Sequence, residues 1–242
     1  MNENFDAFDK YAMNYDMNEK MIAFKYNHSY RVVHQAEEIC RSLEMDTYER
    51  DVASLIALLH DIARFRQWTE YKTFSDKDSF DHGDVGVQIL FDENEIKNYT
   101  VNKEDYDVIK KTIINHNKVE IDKSLNEREL LHSKIIRDAD KIDILYSFST
   151  DKLIEIEEDD EEISELVKDD FFKHRLVLKK DVISKNDKII MMLSLIFDLN
   201  YNYSKDRIIN EDYINKLYSH LKNKKTFKPY IDEVIKYLKG DK

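Results

Sequence analysis

Glycine and proline are nearly missing from this chain: three glycines and one proline stand among 242 residues. Sandwiches and barrels need many tight turns built on those residues, so such a sequence excludes them and reads as helices joined by polar loops. Cysteine is scarcer still. A lone Cys40 rules out an internal disulfide framework and fits a reducing cytosol. No run of about eighteen apolar residues occurs, and the N-terminus is polar and acidic, without a signal-peptide core. The expectation is a soluble cytoplasmic protein without membrane contact. Positive charge is in deficit, 38 Lys and Arg against 50 Asp and Glu, a formal net charge of −12. That disfavours binding to long nucleic acid, which needs a cationic face, but leaves room for a small anion held by local cations.

Hydrophobic residues, in contrast, make up 42% of the chain, enough for a buried core. Phe5, Phe8, Ala12 and Tyr15 recur at helical spacing, and Ile22, Tyr26, Val33, Ala36, Cys40 and Leu43 predict a second helix over 19–43. Asp46 or Thr47 can cap a third with Val52, Leu55, Ile56 and Leu59 on its apolar face. The polar stretch 66–81 reads as a long loop of the kind that often carries function. Asp81 can cap a helix over 83–91, and further helices are expected over 104–116 and 127–149. An acidic run at 155–165 reads as a solvated segment. Beyond it lie three or four more helical patterns, including 189–199 and 213–221, with Pro229 expected to break the chain before a short last helix. The fold class is all-α: a helical domain over 1–150 and a helical C-terminal extension over 151–242, packed on the first.

The chemistry concentrates in a few segments. In LLHDIARF, Ile56 lies one turn before His60 and Ala57 one turn before Asp61, so an ionisable pair closes a core helix. Burying it costs free energy unless something binds it. In KIIRDADKIDIL, Asp140 stands between Ile136 and Ile144 on an apolar ridge and asks for a counter-charge, whereas Asp138 and Asp143 read as surface or hydrogen-bonding residues. His28 shares its side of the second helix with Val32 and Ile39. His116 follows Ile109 and Ile113, and His82 opens a helix beside Gly83 and Gly86, where backbone must come close to something. One at a time, each of these histidines reads as structural. Gathered with two awkward aspartates at helix ends, they form a ligand set for Mn, Fe, Co, Ni or Zn.

The order His28, His60-Asp61, Asp140, with HSYRV, LLHDIARF and RDADKIDIL around them, resembles the signature of the HD-domain metal-dependent phosphohydrolases. FDHGDVG and IINHN resemble the two further histidine motifs of the superfamily's two-metal branch. The likeness covers about residues 20–146. It implies one or two divalent ions (Mn, Fe, Co, Ni or Mg), the first on His28, His60, Asp61 and Asp140, the second on His82 and His116 with Asp61 bridging. It further implies a water acidified by the metals as nucleophile and a cationic centre suited to phosphate. Arg64, three residues after Asp61, and Lys141, beside Asp140, match basic positions of those motifs and are candidate phosphate contacts, Arg64 in a catalytic role. Lys25, one turn before His28, joins them on spacing.

The implied activity is hydrolysis of a phosphoester or phosphoanhydride in a small molecule, a nucleotide foremost, by a protein that can pair as a homodimer. The absence of a double histidine around His116 and of a Gly-Tyr-Pro motif disfavours a cyclic dinucleotide phosphodiesterase. Two alternatives stay open: the superfamily's diiron oxygenases share the same ligands, and a non-catalytic ligand-binding module can keep the fold. Trp68 reads as a packing residue near the mouth of the site. His34, His132, His174 and His220 match no motif and read as structural or surface residues.

Overall fold

The computed structural model describes residues 2–150 and 156–240, and these contain helices and connecting loops but no strand. The all-α class follows from the shortage of turn-forming residues. In order the helices are α1 (Asn2–Ala12), α2 (Lys20–Ser42), α3 (Thr47–Leu59), α4 (Ala63–Tyr71), α5 (His82–Val87), α6 (Tyr106–His116), α7 (Glu127–Thr150), α8 (Glu165–Phe172), α9 (Lys185–Ser194), α10 (Asn202–Asn210), α11 (Tyr213–His220) and α12 (Lys224–Lys239). The chain divides into two compact units, Met1–Asp140 and Lys141–Lys242, so the division falls inside α7. The start of the expected extension, 151–155, including the first residue of the acidic run, lies outside the described residues.

In the first unit α2 lies along α3, and α4, α5 and α6 pack in turn around them. The spacing of apolar residues explains why. On α2 the buried Ser29, Val33, Ala36 and Cys40 form one stripe, with His28, Val32 and Ile39 at its edge. From Val52 to Leu59 every residue of α3 is buried, which makes it the central helix. Asp46 caps α3 by accepting from the Glu49 N–H, and Asp81 caps α5 by accepting from Gly83 and Asp84. Phe8 of α1 reaches Tyr26, Tyr30 and Phe65 with ring centroids 5.9, 6.0 and 5.9 Å away.

Two expectations are corrected here. The loop expected over 66–81 is shorter, because α4 continues through Tyr71 with Phe65 and Gln67 buried, and ends on Lys72 in the left-handed region at φ 53°. Pro229 does not break the last helix but lies inside α12. Proline removes one hydrogen bond, to the carbonyl four residues earlier. Pro229 and Lys225 are both exposed, so water can satisfy that carbonyl, while buried Phe227, Tyr230, Ile231, Val234 and Leu238 hold the helix in place. In the second unit these side chains share a core with Phe171, whose ring lies 5.1 Å from that of Tyr230.

Candidate metal centre

His60 and Asp61 stand where α3 stops, in the turn before α4. A helix end leaves carbonyls without intrahelical partners, and His60 takes one of them, its Nδ1 lying 2.7 Å from the Ala57 oxygen. A carbonyl only accepts, so Nδ1 carries the proton and Nε2 is left as a lone pair. His116 repeats the device at the end of α6, donating from Nδ1 to the Ile113 oxygen. His82, the first residue of α5, donates from Nδ1 to Asp76 Oδ2 at 2.7 Å. Three helix ends therefore aim three Nε2 atoms inward. His28 comes from the body of α2 and Asp140 from α7.

All six expected ligands converge, and Asp61 sorts them. Its Oδ2 lies 3.4 Å from His28 Nε2 and 3.6 Å from His60 Nε2, while its Oδ1 lies 3.4 Å from His82 Nε2 and 3.7 Å from His116 Nε2. Asp140 Oδ1 completes the first group, 3.2 Å from His28 Nε2 and 3.8 Å from His60 Nε2. Two ligands at about 2.1 Å from one ion stand about 3.0–3.4 Å apart, so these spacings resemble the edges of a coordination shell. Two further observations fit a cation. The buried His60 Nε2 has no hydrogen-bond partner among the described residues, and the His82 and His116 Nε2 atoms face each other at 3.0 Å although both protons sit on Nδ1.

The electrostatics agree. Burial lowers the His60 pKa and takes His82 down to about 4, so both are neutral near pH 7. Burial alone would raise Asp61, but the cations Lys25 and Arg64 hold its carboxyl well below the usual range. Burial is likewise outweighed at Asp140, where His28 faces the carboxylate. Neutral imidazoles and ionised carboxylates are the protonation states that bind divalent metals.

Lys25 Nζ lies 2.6 Å from Asp61 Oδ2, and Arg64 Nε lies 3.3 Å from Asp61 Oδ1. Arg64 Nη1 donates to Gln67 Oε1, the Phe74 carbonyl and Asp76 Oδ1 at 2.6, 2.8 and 3.0 Å, which fixes the guanidinium plane. Phe74 lies beside both cations, its centroid 5.3 Å from Lys25 Nζ and 5.6 Å from Arg64 Cζ, and Trp68 packs on Phe74 at 5.0 Å. Lys141 belongs to the second unit, where it is buried and ion-paired with Asp198 at 2.6 Å. His34 and His220 are exposed, His174 pairs with Glu233, and buried His132 pairs with Glu49. Asp138 and Asp143 are both buried, which removes the surface reading and leaves the hydrogen-bonding one.

Sequence reasoning missed Asp76, Gln67 and Arg137. The signal for Asp76 was the polar loop before His82. Arg137 gave none: buried on α7, it donates to the carbonyls of Asn115 and His116 at 3.1 and 3.4 Å and so secures the end of α6. Asp76, Asp81 and His82 also lie close together. That cluster already has its donors, His82 Nδ1 on Asp76 and Lys118 on Asp81 at 2.6 Å. Among known families, the model of the HD domain matches residues 26–145, a stretch that contains His28, His60, Asp61, His82, His116 and Asp140. No curated protein matches the chain, and no solved structure does.

Proposed function

We propose, on the premise that this chain belongs to the HD-domain family through residues 26–145, that it is a metal-dependent phosphohydrolase acting on a small phosphorylated molecule, a nucleotide foremost. The observation that carries this reading is the Asp61 carboxylate, each oxygen facing its own pair of histidines while Lys25 and Arg64 approach from the side. His28, His60, Asp61 and Asp140 would hold one divalent ion, and His82, His116 and the other oxygen of Asp61 a second. Ions bound there would polarise a phosphoryl group and acidify water near it.

The remaining work falls to the chain itself. Asp61, Asp140 and Asp76 carry three negative charges and Lys25 and Arg64 two positive ones, so the protein's own charges leave a single negative charge that added divalent ions would outweigh, making the centre attract anions. Arg64, with Nε and Nη1 already engaged, would offer the N–H groups of its Nη2, held in a fixed plane, to phosphate oxygens. Lys25 would act as a point charge on a flexible stem. The acidic chain favours small substrates over polynucleotides.

A panel of nucleoside mono-, di- and triphosphates and generic phosphoesters, assayed with Mn, Co, Ni and Mg, tests the proposal. Hydrolysis of at least one substrate is expected, with loss of turnover and of bound metal in Asp61→Ala. Oxygen consumption by the iron-loaded protein, with no phosphate released under any condition, overturns it.

A further inference from the structure

Asp61, Arg64, Asp76 and His82 form a closed ring of contacts. Arg64 Nε lies 3.3 Å from Asp61 Oδ1 and its Nη1 3.0 Å from Asp76 Oδ1. His82 Nδ1 lies 2.7 Å from Asp76 Oδ2 and its Nε2 3.4 Å from Asp61 Oδ1. Asp76 thus splits its two oxygens between a cation and an imidazole, whereas Asp61 meets both Arg64 and His82 with Oδ1. It is itself anchored, because Gln67 Nε2 donates to Asp76 Oδ1 at 3.0 Å and to Ser79 Oγ and the Phe80 carbonyl at 2.8 and 3.1 Å. Gln67 is fully buried, so the 72–81 loop hangs from a side chain that cannot rearrange cheaply.

We propose that Asp76 is a positioning residue that fixes His82 as the Nδ1–H tautomer and holds the Arg64 plane, joining the second ion's ligand to the phosphate contact. The proposal rests on the two-ion reading above. Neutral imidazole has one proton, and only when it sits on Nδ1 is Nε2 free to ligate. The ionised Asp76 oxygen can accept that proton but cannot supply one. Asn117 Nδ2, 3.3 Å from His82 Nδ1, does not replace it, since a donor there would favour the wrong tautomer; its shorter contact, 2.9 Å, is to Asp81. Carboxylates that orient a ligating histidine in this way are worth about 10–100-fold in metal affinity.

The test uses the full chain and the variants Asp76→Ala and Asp76→Asn, with His82→Ala as reference. Mn titration by calorimetry is expected to show two binding events in the wild type. In Asp76→Ala one event should weaken about 10–100-fold with the other unchanged. Adding Asp76→Ala to His82→Ala should change nothing further. Imidazole nitrogen NMR of the metal-free protein gives an arm that loss of packing would not move: His82 should read as Nδ1–H in the wild type and gain the Nε2–H form in Asp76→Ala. Asp76→Asn keeps one accepting oxygen, so it can serve His82 or Arg64 but not both. It should therefore lose either the second binding event or phosphate affinity. Two unchanged binding events with an unchanged tautomer in Asp76→Ala overturn the proposal. A wild type that takes up a single ion overturns the two-ion reading instead, and the tautomer signal alone then decides on Asp76.

Discussion

Replacing Gly83 by alanine tests whether the close approach of α5 to the end of α6 sets the His82–His116 pair. A Cβ at Gly83 would stand 3.0 Å from the Ile113 carbonyl oxygen, 3.0 Å from Asn117 Oδ1 and 3.3 Å from Asp81 Oδ1. Asn117 can turn aside, but the Ile113 oxygen is backbone and also accepts from His116 Nδ1. The helix must therefore back away by a few tenths of an ångström, which disturbs both histidines. Overpacking of this kind costs about 1–3 kcal/mol, and the better helix propensity of alanine returns at most about 1 kcal/mol. With that return in full, a net loss of up to about 2 kcal/mol is expected, up to about 8 °C in Tm for a chain of this size. Gly86, three residues on, supplies the control. Its Cβ would meet Ile113 Cγ2, Ile62 Cγ2 and the His60 oxygen at 3.6, 3.7 and 3.9 Å, ordinary contact distances. Gly86→Ala should thus be neutral or stabilising by up to about 1 kcal/mol. Thermal melts in chelator, followed by Mn titration, read both effects. A Gly83→Ala protein as stable as Gly86→Ala, with two unaltered binding events, would refute the reasoning.

Three more expectations can be checked on the same preparations. Asp61→Ala leaves Lys25 and Arg64 without the buried carboxylate they share, so the metal-free variant should lose about 3 kcal/mol in urea denaturation and bind no ion; normal ion content would sink the bridging assignment. Arg64→Lys removes the fixed Nη2 donor while leaving every ligand side chain in the sequence, and should raise KM for a phosphate substrate with unchanged metal content; an unchanged KM argues against phosphate contact. Buried His132 has its pKa lowered by burial, an effect its bond to Glu49 opposes without cancelling. The unfolded chain then binds more protons than the folded one below the ordinary histidine value near 6.5, so this contribution is full above that pH and lost as pH falls. Urea midpoints at pH 7 and pH 5 should accordingly differ less in His132→Gln than in the wild type, and equal differences would count against it.

Much of this was legible in the residues because helix periodicity is local. Stripes such as Val33, Ala36 and Cys40, the caps Asp46 and Asp81, and the shortage of glycine and proline specify helices through neighbours within one or two turns. The conflict between an apolar surrounding and a charged side chain likewise marked His60-Asp61 and Asp140 as sites needing a partner. Other features are not local. Whether Pro229 breaks a helix depends on which side of α12 faces water, and whether the polar stretch 66–81 is loop depends on where Gln67 is buried. Only the fold decided that Asp61 would face two histidine pairs with different oxygens, that Asp76 would hold His82 and Arg64 at once, and that Arg137 would secure the end of α6. Those arrangements arise where helix ends far apart in the chain meet. Distance and direction between such ends are set by the packing of whole helices, which no short stretch of residues encodes.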